Sequence, residues 1–140
     1  MDAPTRGAWL RAGISRDGGP LWETERVVWL QTGALYADSR GFAGTTSYDG
    51  ERVTFHHEVG SPGLDVGALR PDGAGMVETG TNADGSTFLE VWTPLPGAKG
   101  PEGCWTAGGT MTVRVGGHVV HVDATGDGVY AVLTDGEERR

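Results

Sequence analysis

The segment from Trp29 to Arg40, WLQTGALYADSR, limits the fold more than any other part of the sequence. Apolar and polar residues alternate on both sides of Gly33, which is the period of a β-strand and not of a helix. A two-residue loop at Gly33-Ala34 would pair Thr32 with Leu35. The segment therefore predicts a β-hairpin with two chemically different faces.

One face of this hairpin is aliphatic, and the other combines aromatic and polar side chains. The aliphatic face holds Val28, Leu30, Leu35 and Ala37. The mixed face holds Trp29, Gln31, Tyr36, Asp38 and Arg40. Aromatic walls with a few polar tips are typical of a pocket lining, but the same face could also be a solvated exterior.

We expect the mixed face to point inward, for two reasons. Burial of Trp29 and Tyr36 removes more apolar area from water than burial of the small residues opposite them, a difference worth a few kcal/mol at ~25 cal/mol per Å². Asp38 and Arg40 can also neutralise each other, which lowers the cost of burying them. The aliphatic face would make an ordinary core, so the opposite orientation stays open.

Short strands and tight turns continue along the rest of the chain. Asp49-Gly50, Asn82 to Gly85 and Gly116-Gly117 each separate two β-rich runs, and no segment keeps a helical period over three turns. The pattern predicts an all-β fold of about eight to ten antiparallel strands in up-and-down order, with little helix. Closing these strands into a single barrel would remove the exposed sheet edges.

The segments between these runs complete the prediction. Residues 60–75 contain five glycines and two prolines and are expected to form a long, partly irregular connection. A second break is expected at 94–103. Residues 1–140 are expected to form one domain, with loose termini at 1–6 and 137–140.

Length and charge exclude several classes of function. A chain of 140 residues can bury roughly two-thirds of its unfolded surface around one core. Its net charge of −8 repels phosphate backbones and anionic lipids, so we expect neither a nucleic-acid nor a membrane partner. The sequence has no apolar run of about 18 residues and does not start like a secretory signal peptide, which predicts a cytoplasmic protein.

Cys104 is the single cysteine, and its side chain is expected to serve in core packing.

Four segments occur in an order that resembles a known family. They are WLQTGALYADSR, FAGTT at 42–46, VETG at 77–80 and FLEVW at 88–92. They resemble the Hri-type, lipocalin-like (calycin) barrels, in which Glu78 and Gly80 match an acidic-x-Gly pattern and Glu90 and Trp92 match a Glu-x-Trp pattern. The resemblance spans about half the chain. It implies a barrel with a lumen, in a family largely without an assigned activity, and it implies no reaction.

The histidines do not form a metal site. His56-His57-Glu58 has the residue types for metal ligation or proton transfer, but neighbouring residues on a strand point to opposite faces. His118 and His121 are three residues apart, so their side chains also point to opposite faces of a strand. We therefore expect no metal.

His57 is the histidine that we expect inside the barrel, because it shares a face with Val53, Phe55 and Val59. It is either a core histidine bound to a carbonyl or carboxylate, or an acid/base or ligand-contacting group. Some lipocalin-like barrels hold haem through one histidine, so haem is the alternative to our expectation of no cofactor.

Glu90 presents a similar choice, because Phe88 and Trp92 flank it on one face. A buried carboxylate needs a partner, and Arg40 is the natural one. The pair is either a structural salt bridge or a pair of charged groups that also binds the polar end of a ligand.

Asp123 to Gly128 resembles the start of a calcium-binding loop. The twelfth position of such a loop needs Glu, but it is Thr134 here, so we expect a turn.

These residues support three hypotheses about function. The first is a barrel that binds a small, largely apolar organic molecule, with Tyr36, Arg40, His57 and Glu90 fixing its polar end. The predicted ligand-binding residues are Trp29, Gln31, Tyr36, Asp38, Arg40, Phe55, His57, Phe88, Glu90 and Trp92. The second is a cofactor-independent isomerase, cyclase or dehydratase in the same lumen, with His57 or Glu90 as base and Tyr36 or Arg40 stabilising negative charge. The third is a protein-interaction scaffold with a filled barrel.

Overall fold

The computed structural model describes residues 5–60 and 63–133, and its first two-thirds form a closed barrel. The barrel strands are β1 (Gly7–Arg16), β2 (Val28–Thr32), β3 (Leu35–Asp38), β4 (Phe42–Tyr48), β5 (Arg52–Val59), β6 (Gly63–Asp72), β7 (Gly75–Thr81) and β8 (Thr87–Pro94). Each strand pairs antiparallel with the next, and β8 pairs with β1. The predicted all-β, up-and-down antiparallel barrel is confirmed. Within these ranges no helix is long and apolar enough to cross a bilayer.

The last third of the chain forms a second sheet outside the barrel, although we expected its strands within the barrel. Its strands are β9 (Glu102–Ala107), β10 (Thr110–Val115), β11 (His118–Val122) and β12 (Gly128–Val132), in the order β12-β11-β10-β9. Eight strands already close the barrel, so the remaining strands cover its outer surface. The expected turn at Gly116-Gly117 joins β10 to β11, and the expected turn at Asp123 to Gly128 joins β11 to β12.

Two separate cores explain why this arrangement is stable. The outer core lies between the second sheet and the β2–β3 wall of the barrel, where Val28 and Leu30 pack against Val113 and Val120. Cys104 is half-buried against this core. The inner core fills the barrel, and Trp29 and Tyr36 belong to it. The aliphatic face of the hairpin therefore points outward under the second sheet, and the mixed face points into the lumen, as we expected.

The glycine-rich region at 60–75 contains a strand, so the prediction of a partly irregular connection was wrong. Residues 63–68 of β6 pair with β5, and residues 68–72 pair with β7. Gly67 lies in its middle because a Cβ atom there would come within 2.5 Å of the Glu78 side chain. The glycine thus makes room for a neighbouring buried side chain.

Two further details differ from the sequence prediction. Val59 packs in the outer core instead of sharing the inner face of His57, because a β-bulge between β4 and β5 changes the alternation there. The turn after β4 has Gly50 and Glu51 at its tip, since the Asp49 N–H donates to the Arg52 carbonyl. Gly50 has a φ of 100°, which favours glycine.

The second sheet contacts the barrel through glycine as well as through the outer core. Gly41, in the turn after β3, has a φ of 110°, and a Cβ atom there would lie 1.8 Å from the Gly126 carbonyl oxygen. Gly126 belongs to the turn between β11 and β12. A larger residue at position 41 would push the two sheets apart.

Candidate functional site

The barrel contains a cavity of about 200 Å³ near one end. It opens where β1, β3, β5 and β7 end, because Arg16, the last residue of β1, and Asn82, which follows β7, line it and are exposed. Trp9, Val53, Leu69 and Met76 belong to the buried inner core and are not among its lining residues. The lumen is thus partly filled and partly open.

Aromatic side chains form the walls of the cavity. The Trp29 ring lies 5.3 Å from that of Trp92 and 5.2 Å from that of Phe55, both edge to face. The Tyr36 ring contacts Phe55 in the same geometry at 5.0 Å. These contacts fix the ring positions, so the walls are formed before any ligand arrives.

Nine of the ten predicted ligand-binding residues line this cavity: Trp29, Tyr36, Asp38, Arg40, Phe55, His57, Phe88, Glu90 and Trp92. Gln31 is buried and is not among the lining residues. Its side-chain oxygen accepts hydrogen bonds from Trp29 Nε1 at 3.1 Å and Thr46 Oγ1 at 3.0 Å. Gln31 therefore holds the Trp29 ring in position.

A network of ion pairs crosses the lumen. Glu90 Oε2 accepts from Arg11 Nη1 at 2.9 Å and from Arg40 Nη1 at 3.4 Å. Arg40 also donates to both oxygens of Asp38, at 3.0 and 2.7 Å, and Arg11 donates to both oxygens of Glu23, each at 2.8 Å. The expected Arg40–Glu90 contact is present, but Arg11 is the closer partner of Glu90.

The carboxylates keep both arginines charged. Burial opposes the charged form of Arg40, but the charge of Asp38 and its hydrogen bonds outweigh this effect and raise the Arg40 pKa above its ordinary value. Burial likewise opposes the charge on Arg11, and the hydrogen bonds that it donates to Glu23 and Glu90 raise its pKa. Both guanidinium groups are therefore fixed positive charges beside the cavity.

Tyr36, His57 and Asp65 form a hydrogen-bonded line from the cavity to the surface. The Tyr36 hydroxyl is hydrogen-bonded to His57 Nδ1, and His57 Nε2 lies 2.8 Å from Asp65 Oδ2. The His57 hydrogen bond lowers the pKa of Asp65, and burial raises that of Tyr36. Both ring nitrogens of His57 are occupied, so neither is free for a haem iron, and the residues present do not fit haem.

Glu78 also lines the cavity, directly across the β7–β8 pair from Glu90. It is 4% exposed, and Trp92 Nε1 donates to its Oε1 at 3.3 Å. Burial and the nearby charge of Glu90 raise the pKa of Glu78 to about 8. Glu78 therefore holds a proton at neutral pH.

Sequence reasoning missed three of the groups that shape this site: Arg11, Asp65 and Glu78. In β1, Trp9 and Arg11 share one face and alternate with aliphatic residues on the other face. An aromatic and a charged residue on one face is the same pattern as on the mixed face of the first hairpin. Glu78 was visible only as part of the family resemblance. Asp65 carried no signal, because it lies in the region that we expected to be partly irregular.

The remaining predicted chemistry lies elsewhere. His56 is exposed on the outer side of β5, and His118 and His121 belong to the second sheet. The parts of the chain that the structure describes contain no group of three metal-ligating residues that could hold an ion.

The chain matches no protein-family model, and no curated protein or solved structure is significantly similar to it.

Proposed function

We propose that the barrel binds a small organic molecule, about the size of one substituted ring, in this cavity. The observation that carries the proposal is a cavity with preformed aromatic walls and several charged groups at one side. An apolar cavity on the order of 150 Å³ holds benzene. A volume of about 200 Å³ therefore suits a ring with one small polar substituent.

The chemistry of the lining suggests how such a ligand would lie. Its ring packs against Trp29, Phe55 and Trp92. Its polar end faces Tyr36, Arg40, His57 and Glu90. The resemblance to lipocalin-like barrels agrees with this function, whereas a protein-interaction scaffold would be favoured by a lumen without a cavity.

The indole N–H signals of the five tryptophans provide a direct test. During a titration with benzyl alcohol, ¹H–¹⁵N spectra should show saturable shifts at Trp29 and Trp92. Trp22 and Trp105 are 48% and 56% exposed and serve as internal controls. Shifts confined to these two exposed residues, or no shifts at all, would contradict the proposal.

Two substitutions connect binding to the polar side of the cavity. Arg40→Ala and Tyr36→Phe should weaken probe binding several-fold while the melting temperature changes less, because both side chains line the cavity. Arg52→Ala is the matched control, since Arg52 is an exposed arginine at the start of β5. Equal losses of binding in the control and the test variants would count against the site.

The line Tyr36–His57–Asp65 favours a second function, a cofactor-independent acid/base enzyme. If the Tyr36 hydroxyl turns from His57 Nδ1 to a bound substrate, Nδ1 is free to take a proton from a carbon next to a carbonyl, while Tyr36 or Arg40 stabilises the resulting oxyanion. Glu90 is the other candidate base. The protein should then exchange the α-protons of cyclohexanone in D₂O, and His57→Gln should abolish this exchange. Exchange no faster than in buffer would leave binding alone as the function.

A cytoplasmic location, independence of cofactors and the absence of nucleic-acid or membrane partners stay predictions from the sequence. They agree with a soluble metabolite as the ligand. None of them is required for binding in the cavity.

A further inference from the structure

Glu78 is the one carboxylate of the cavity lining that forms no ion pair among the described residues, although the charge of Arg40 acts on it from a distance. Arg11 is engaged by Glu23 and Glu90, and Arg40 is engaged by Asp38 and Glu90. Glu78 receives a single hydrogen bond, from the indole of Trp92. An ionised carboxylate buried without a counter-ion costs several kcal/mol, of the order known for broken buried pairs.

The second oxygen of Glu78 lies against Gly67 and has no polar partner among the described residues. Within the described chain, Thr5 Oγ1 is the only fully buried side-chain polar atom without a hydrogen bond. Glu78 Oε2 has no hydrogen bond either but is not fully buried, and Glu78 lines the cavity. An acceptor atom of a 4% exposed side chain is thus available to a ligand.

The charge on the cavity lining favours a cation. Four acidic residues line it, namely Asp38, Asp65, Glu78 and Glu90, against two basic ones, Arg16 and Arg40, while Arg11 lies behind Glu90 and is paired with Glu90 and Glu23. The net charge of −8 adds long-range attraction for cations. Aromatic faces such as those of Trp29 and Trp92 attract cations as well.

We propose, building on the binding function above, that the ligand is a protonated amine carrying one ring, whose ammonium group pairs with Glu78 while its ring packs against Trp29 and Trp92. The ligand then supplies the positive charge that the protein leaves out. A neutral ligand would leave Glu78 protonated and without an ion pair, and an anion would find no opposite charge at Glu78.

This proposal fixes the pH dependence of binding. The titratable groups around Glu78 are Glu90 on β8, Asp38 and Arg40 at the end of β3, and Arg11 behind Glu90. Burial and Glu90 raise the Glu78 pKa to about 8, so the empty cavity holds a proton on Glu78 at neutral pH. An ammonium group must displace that proton. Amine affinity should therefore rise as pH increases toward 8.

The experiment compares benzylamine, benzyl alcohol and benzoate, which share a ring and differ in charge. The readout is the shift of the Trp29 and Trp92 indole signals between pH 6.5 and 8.5, where an alkyl amine stays largely protonated. Benzylamine should bind about tenfold more tightly than benzyl alcohol at pH 8.5, and its affinity should fall about tenfold per pH unit well below 8. Benzyl alcohol should show no such slope, and benzoate should bind most weakly.

Substitution of Glu78 assigns the effect to this residue. Glu78→Gln should remove both the preference for benzylamine and the pH slope while benzyl alcohol still binds, which also shows that the cavity is intact. Glu51→Gln is the control, because it removes one exposed acidic charge in the β4–β5 turn and should change neither.

Failure of this inference differs from failure of the proposed function. Benzylamine that binds no better than benzyl alcohol, or a pH slope that persists in Glu78→Gln, would overturn the amine assignment and leave small-molecule binding in place. If none of the three probes shifts Trp29 or Trp92, both the binding function and the inference that rests on it are refuted.

Discussion

Replacement of Arg11 by methionine should destabilise the protein through the ion-pair network of the lumen. The Arg11 and Glu90 side chains are 4% and 7% exposed, so solvent does little to screen the charge that is left behind. Removing one partner of a buried pair costs about 3–5 kcal/mol. Arg40 still lies 3.4 Å from Glu90 and offsets part of this loss, so we expect about 3 kcal/mol.

Urea unfolding followed by tryptophan fluorescence measures this loss, and calorimetry should show a melting temperature lower by roughly 10 °C. The double variant Arg11→Met, Glu90→Gln removes both charges and should be more stable than Arg11→Met alone. A loss below about 1 kcal/mol for the single variant, or a double variant that loses the sum of both single effects, would refute the reasoning.

Three further predictions test other parts of the fold. Gly50→Val should lower stability by about 1 kcal/mol or more, because valine is strained at a φ of 100°, and an unchanged melting temperature would contradict the turn geometry. Gly41→Ala should destabilise by at least about 2 kcal/mol, because its Cβ atom would clash with Gly126; a wild-type unfolding curve would show that the sheets do not meet there. Because its folded pKa is raised to about 8, Glu78 makes the wild type lose stability between about pH 5 and 8, as the unfolded state releases this proton first. Glu78→Gln should flatten that loss in pH-dependent urea unfolding, and an unchanged slope would contradict the raised pKa.

The orientation of the first hairpin was predictable from its residues. Trp29 and Tyr36 offered more apolar area than the opposite face, and Asp38 and Arg40 were two apart and able to pair. Each of these quantities is local, since it depends only on side-chain size, charge and the period of a strand. The order of the barrel strands followed in the same way from successive hairpin turns.

The second sheet was not predictable, because the β10–β11 hairpin has the same alternation in a barrel as in a separate sheet. The difference depends on which strand pairs with β1, and that pairing joins residues far apart in sequence. β6 was missed because glycine and proline are common in loops. At Gly67, however, the glycine is explained by the bulk of Glu78 on the neighbouring strand.

The polar half of the site was only partly predictable for the same reason. Arg40 and Glu90 could be paired from their charges and their faces. Asp65 reaches His57 only because β5 and β6 pair, and Arg11 reaches Glu90 only because the barrel closes between β1 and β8. Long-range pairing therefore decides the partners of the catalytic and binding candidates.

A crystal structure of the protein soaked with benzylamine would locate the ligand relative to Glu78 and the aromatic walls. We expect electron density for one ring packed against Trp29 and Trp92, with the amine nitrogen within hydrogen-bond distance, about 3 Å, of a Glu78 oxygen. A cavity that contains only water at saturating benzylamine, or one filled by collapsed aromatic side chains, would contradict this expectation.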